Sequence, residues 1–268
     1  MKKKKTYMLK ISKKTKKLII AMIIITLIGL LMAFLYYDSI NKAEDPRVLS
    51  AKKLLKTSNK LIDEQNYLKA SIVLDQIEDT YKKIPSYDGS YELGVINNDK
   101  AAIYLLQVEE AILATGDLKI DDLEIQKRKN NLELAQKYTL KSIKIYEAWL
   151  ERFDSLEESE MTDYVKTGYL ASNLDIKQNQ LEKIINKRIK DMLLAQKETP
   201  RRLSVSYTNY GVICRYLGQT QTAINCYQKA VEFWPENFIA ENNLRVLKGE
   251  PMKKRSIIKT LFPPDRKK

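Results

Sequence analysis

Two cysteines and two short runs of carboxylates are this chain's nearest approach to reactive chemistry. Cys214 and Cys226 are its only thiols, and histidine is absent. Without imidazole the commonest general base and the commonest metal ligand are both missing. Two thiols alone do not make a zinc site. They stand either as a disulfide or redox pair, or as small buried packing residues, and the second reading is favoured because cysteine behaves as a small hydrophobe. Asp121/Asp122 and Glu157/Glu158 are adjacent in sequence on polar stretches, which suits solvated faces better than an acid/base pair. Glycine-rich phosphate loops, nucleophile elbows and H-E-x-x-H helices are all missing. We therefore expect no enzyme, no cofactor and no metal.

Cys214 and Cys226 lie in YTNYGVICRYLGQTQTAINCYQKAVEFWP, Tyr207 to Pro235. Two amphipathic segments flank the break Gly218-Gln219-Thr220, which predicts a helical hairpin. Gly218 suits a left-handed C-cap, Thr220 can N-cap the second helix, and Pro235 stops it. Gly211 and Ala223 lack bulk and let the two helices approach, with Tyr207, Tyr210, Cys214, Tyr227 and Phe233 filling the space between them. One such hairpin cannot bury its apolar face alone and needs stacked neighbours.

This stretch resembles the tetratricopeptide repeat, a 34-residue helix–turn–helix unit. Tyr210 and Gly211 take the large and small positions of the first helix, and Gly218 the turn. Ala223, Tyr227 and Ala230 take the small–aromatic–small positions of the second, and Pro235 closes it. Tyr207 stands where the family often has tryptophan, and Cys214 replaces the usual aromatic. The resemblance implies an all-α fold, an α-solenoid of antiparallel hairpins, with its clearest repeat at 204–237 and a capping helix at 238–248. It also implies that the first helix of each hairpin lines a groove for a protein or peptide. Thr208, Asn209, Val212, Arg215 and Tyr216 would project there, with Asn242 and Asn243 from the capping helix. An asparagine amide offers a donor and an acceptor to an extended main chain, and Arg215 can pair with a carboxylate.

The rest of the chain reads as an anchor and further hairpins. Residues 1–17 hold 9 lysines and no acid, forming a basic arm. Residues 18–37, LIIAMIIITLIGLLMAFLYY, are uncharged and as a helix would span roughly 30 Å, the thickness of a bilayer core. The end is bulky rather than small, so we read an uncleaved transmembrane anchor and not a signal peptide. The lysines before it place the N-terminus in the cytoplasm and the remainder outside. Residues 38–46 read as a linker.

Within 47–248, Leu54, Leu55, Leu61 and Ile62 face Tyr67, Ala70, Val73, Leu74 and Ile77 in a first hairpin, with its turn at Asn66-Tyr67. Ile84 to Asn98, with Pro85, Gly89 and Gly94, reads as a loop in which Tyr87 and Tyr91 either pack or contact a partner. A helix through Ala101, Leu105, Val108 and Ile112 is expected to stop near Gly116-Asp117. A longer one follows through Ala135, Tyr138, Ser142, Ile145, Trp149 and Phe153. Another pair covers Tyr164 to Ser172 and Leu181 to Leu193, and Thr199-Pro200 is expected to break the chain before the clear repeat. Leu181 to Leu194 is also the candidate seam for a coiled-coil homo-oligomer. Residues 249–268 form a basic tail with Ile257, Ile258, Leu261 and Phe262 interleaved, either solvated or able to touch anionic lipid.

The net charge of +13 belongs to the two ends: outside residues 1–17 and 253–268 there are 31 basic and 33 acidic residues. That balance argues against nucleic acid as a partner. The expectation is a single-pass protein of bacterial composition whose extracytoplasmic repeat domain is a protein–protein scaffold of the cell envelope, in assembly, secretion or division. A structural homo-oligomer and an accessory regulatory subunit of a membrane enzyme or polymer synthase are the alternatives.

Overall fold

The computed structural model describes residues 12–115, 121–172 and 174–254. Their regular elements are all helices, without a strand among them. The basic arm up to residue 11, the expected helix stop at Gly116-Asp117 and the apolar residues of the tail lie outside the described residues.

Helix α1 (Lys13–Lys42) carries the apolar run. Within its segment Lys14–Tyr37 an 18-residue window has a mean hydropathy of 3.1 and is not buried by the rest of the chain, so the segment is long and apolar enough to cross a membrane. The helix continues five residues past Tyr37, so most of the segment read as a linker is helical.

Helices α2 (Leu49–Asp63) and α3 (Tyr67–Lys82) form the first hairpin. Its turn is built like the one after Gly218. The N–H of Gln65 donates to Ile62 O and that of Asn66 to Leu61 O, while Gly218 donates to Arg215 O and Gln219 to Cys214 O. Both turns need a left-handed residue to satisfy the last carbonyls of the helix. Gly218 takes it at φ 72° and Gln65, unusually for a residue with a Cβ, at φ 57°.

A 3-10 turn, Pro85–Tyr87, leads to α4 (Tyr91–Thr115), which pairs with α5 (Asp122–Phe153) as a long antiparallel hairpin. The loop expected up to Asn98 is therefore short, because Tyr91 to Asn98 are the first two turns of α4. Gly94 is there for space: a Cβ at this position would meet the buried ring of Tyr146 on α5. Glycine has two readings, a turn or a close approach, and here the second holds.

α6 (Glu158–Leu170) and α7 (Gln178–Tyr216) follow, then α8 (Thr220–Phe233) and α9 (Phe238–Leu247). The two carboxylate runs start helices. Asp121 accepts from the Glu124 N–H at 2.8 Å to cap α5, and Glu157 with Glu160 makes a capping box on α6. Thr220 is the first residue of α8; its N-cap is Gln219, whose side chain makes no capping bond.

The expected break at Thr199-Pro200 does not occur. Pro200 lies inside the 39-residue α7. It cannot donate to the Gln196 carbonyl, a defect that costs about 3 kcal/mol in an isolated helix. Packing overrides it: Ala195, Thr199, Pro200 and Leu203 are all buried, and α7 is flanked by α5, α6 and α8. The Gln196 amide also ties α7 to the end of α5, donating to Phe153 O at 2.6 Å and Leu156 O at 2.9 Å.

Where α3, α4 and α5 meet, one buried carboxylate holds three cations. Glu78 pairs with Lys100 at 2.5 Å, with Lys82 at 2.7 Å and with Lys141. Burial alone would raise its pKa, but the hydrogen bonds from Lys100, Lys141 and Lys82 outweigh that and hold it down at about 2. A depressed carboxyl stabilises the fold above its unfolded pKa and loses that contribution as pH falls through the folded value. We predict a loss of roughly 3 kcal/mol between pH 4.5 and 2 from this group. In urea titrations across that range, Glu78→Gln should be less stable at pH 7 and show a shallower acid slope; an unchanged slope would refute the assignment.

Candidate functional site

The residues with chemical potential are used for structure. Cys214 and Cys226 are free and buried. Burial raises both thiols, Cys226 to about 12, which leaves them protonated and inert at neutral pH. Six of the eight repeat-signature positions pack together, and Gly218 and Pro235 are exposed at the two ends of α8. Gly211 lies beneath the Tyr227 ring, Tyr207 stacks on Phe233 with centroids 5.8 Å apart, and Ala223, Tyr227 and Ala230 are fully buried. Tyr210 packs against the same cluster half-buried, and Pro235 follows the extended Trp234 that ends α8.

The seven expected groove residues divide into two sets. Thr208, Asn209 and Val212 face inward. Thr208 is only 5% exposed and does not project into a groove: its Oγ1 donates to Ser204 O and accepts from Asn237 Nδ2, the residue that caps α9. Asn209 donates to Asn98 Oδ1 on α4 at 3.2 Å, and Val212 packs between two core clusters. The reason is that α4 and α5 pack over Asn209 and Val212, and the cap of α9 over Thr208. Arg215 and Tyr216 are exposed, and Asn242 and Asn243 are half-buried on α9. Arg215 Nη1 lies 3.5 Å from Asn243 Oδ1. Asn209 and Asn243, one repeat length apart, are thus engaged by different partners.

Sequence reasoning missed what α9 holds. Asn242 Nδ2 donates to the carbonyl of Lys253 at 3.2 Å, and Asn242 Oδ1 accepts from the Lys253 N–H at 2.8 Å. The amide grips a main chain with both its donor and its acceptor, but the chain is the protein's own. Gly249, with φ 72°, carried the signal: a left-handed turn there sends residues 250–254 back along α9.

A second site was also invisible. Asp45, just after α1, is buried and accepts from Arg47 through the backbone N–H, Nε and Nη2, and from the Tyr169 hydroxyl at 2.8 Å. Tyr169 meets the Tyr87 hydroxyl at 3.3 Å, and the guanidinium of Arg188 lies 4.2 Å from the Tyr87 ring centroid while pairing with Glu92. Glu44 adds ion pairs to Lys52 and to Lys187 on α7. The segment that follows α1 is therefore fastened to α6 and α7. A cleft of about 540 Å³ opens beside it, lined by Pro85, Ser86, Tyr164, Gly168, Tyr169 and Met192 among others.

The chain matches no family model, no curated protein and no solved structure.

Proposed function

We propose that this chain is a membrane-anchored helical-repeat protein, of the tetratricopeptide kind, that holds a partner polypeptide close to the membrane on its extracytoplasmic side. The observation that carries the reading is the recurrence of one hairpin. The turn at Gln65 has the bonding of the turn at Gly218. Around these turns Ser58 and Gly211, Ala70 and Ala223, Leu74 and Tyr227, and Ile77 and Ala230 are buried at equal offsets. Stacked hairpins of this type build extended binding surfaces rather than active sites. Arg215, Tyr216 and Asn243 supply an open polar edge, and the docked anchor keeps that edge at a fixed place relative to α1. The lysine-rich arm before the span supports the orientation. Photocrosslinking from Tyr216 in the native membrane tests the reading, with one foreign protein as the expected product.

The homo-oligomer reading loses its seam. Leu181, Ile184, Ile185, Ile189 and Met192 are buried within the chain, in one cluster with residues of α5 and α6.

A further inference from the structure

Residues 250–253 are held by three side chains of α9, which make three hydrogen bonds to main chain and two ion pairs. Gly249 donates to Val246 O and Glu250 N to Arg245 O, which reverses the chain. Arg245 Nε then donates to the Pro251 carbonyl at 2.7 Å, and its Nη1 pairs with Glu250 at 3.2 Å. Asn242 takes both main-chain groups of Lys253. Glu241 pairs with the Lys253 ammonium. Bonding to the N–H and C=O of one residue requires that residue to be extended, as a neighbouring β-strand does. Pro251 suits such a chain because it lacks an N–H to satisfy and has a fixed φ.

The segment adds little to the core. Met252 is 67% exposed, and residues 250–254 are exposed throughout. Exposed hydrogen bonds and ion pairs contribute about 1 kcal/mol or less each. A strap held this way opens readily, and its contacts are available to any extended segment with a lysine in the right register. We propose that this face of α9 is a docking site for an extended, lysine-bearing segment of a partner protein, occupied in cis by residues 250–253 until the partner displaces them. The site deepens the scaffold reading and rests on it only for the partner being a polypeptide. The cis strap competes at an effective concentration on the order of mM, so it sets a threshold that a weak, non-cognate segment does not pass.

The test uses a chain ending at Gly249 and a fluorescein-labelled peptide with the sequence of residues 250–255, Glu-Pro-Met-Lys-Lys-Arg. Fluorescence anisotropy should show the peptide binding the shortened chain about tenfold or more tighter than the full chain. Asn242→Ala in the shortened chain should weaken binding about tenfold, the value of two lost hydrogen bonds. Replacing the first lysine of the peptide by glutamate should do the same. Circular dichroism keeps folding separate from binding. A shortened chain with intact helicity that binds no better than the full chain overturns the proposal, as does binding indifferent to Asn242→Ala. A foreign protein crosslinked from Tyr216 alongside a failed peptide titration would sink this site and leave the scaffold reading standing.

Discussion

Gly211→Val should destabilise the folded chain by about 3 kcal/mol or more, the upper part of the range for overpacking a core. A Cβ at Gly211 would lie 2.5 Å from Cε1 of Tyr227 and 2.8 Å from two further ring atoms. The ring has no room to retreat, since Tyr227 is fully buried among Ala223, Ala230 and Cys214. The gain in helix propensity from glycine to valine, about 0.3 kcal/mol, offsets only a small part of this. The cause can be isolated with a cycle. Tyr227→Ala alone should cost about 3–5 kcal/mol, and in that background Gly211→Val should cost little, giving a coupling of roughly 3 kcal/mol. Additive costs in urea denaturation would show that the ring is not what excludes the side chain.

Arg188→Met should cost about 3–5 kcal/mol, because it leaves a buried carboxylate without its cation. Glu92 is raised by burial, but the charge and hydrogen bonds of Arg188 more than reverse that and hold its pKa low. The guanidinium is itself almost fully buried over Tyr87. Removing it also withdraws the plane beneath Tyr87, whose hydroxyl leads through Tyr169 to Asp45, just after α1. Adding Glu92→Leu should recover most of the loss, since an apolar pair of similar size replaces a buried ion pair at little or no cost. Thermal unfolding of the single and double variants decides this. A double variant as unstable as Arg188→Met would mean that the contacts to Tyr87, and not the stranded charge, dominate.

Much of the helical order was legible in the sequence because apolar spacing reports burial directly. Leu54 to Ile62 and Tyr67 to Ile77 gave the first hairpin, and the uncharged run at 18–37 gave a helix able to span a membrane. What went wrong turned on residues with two physical uses. Gly94 and Pro200 look like punctuation, yet Gly94 makes room for Tyr146 and Pro200 is carried by packing on three sides of α7. Only tertiary contact decides such cases. Gln65 shows the converse, a left-handed turn at a residue that gives no hint of one. The charged cores were not legible at all. Glu78 meets Lys100 and Lys141, and Asp45 meets Tyr169, across separations that no local pattern encodes. The same limit applied to the groove. The resemblance to the repeat put Thr208, Asn209 and Val212 in an open groove, but could not tell that α4, α5 and the cap of α9 already cover them.

The central claim is that the exposed edge formed by Arg215, Tyr216 and Asn243 receives a polypeptide from another protein. The most direct measurement replaces Tyr216, 42% exposed, with a photoreactive residue in the full chain, crosslinks in the native membrane and identifies the product by mass spectrometry. The account predicts one dominant foreign protein, with its yield lowered about tenfold by Arg215→Ala combined with Asn243→Ala while helicity is kept. Crosslinks only to further copies of the chain, or a foreign product indifferent to the double variant, would contradict it.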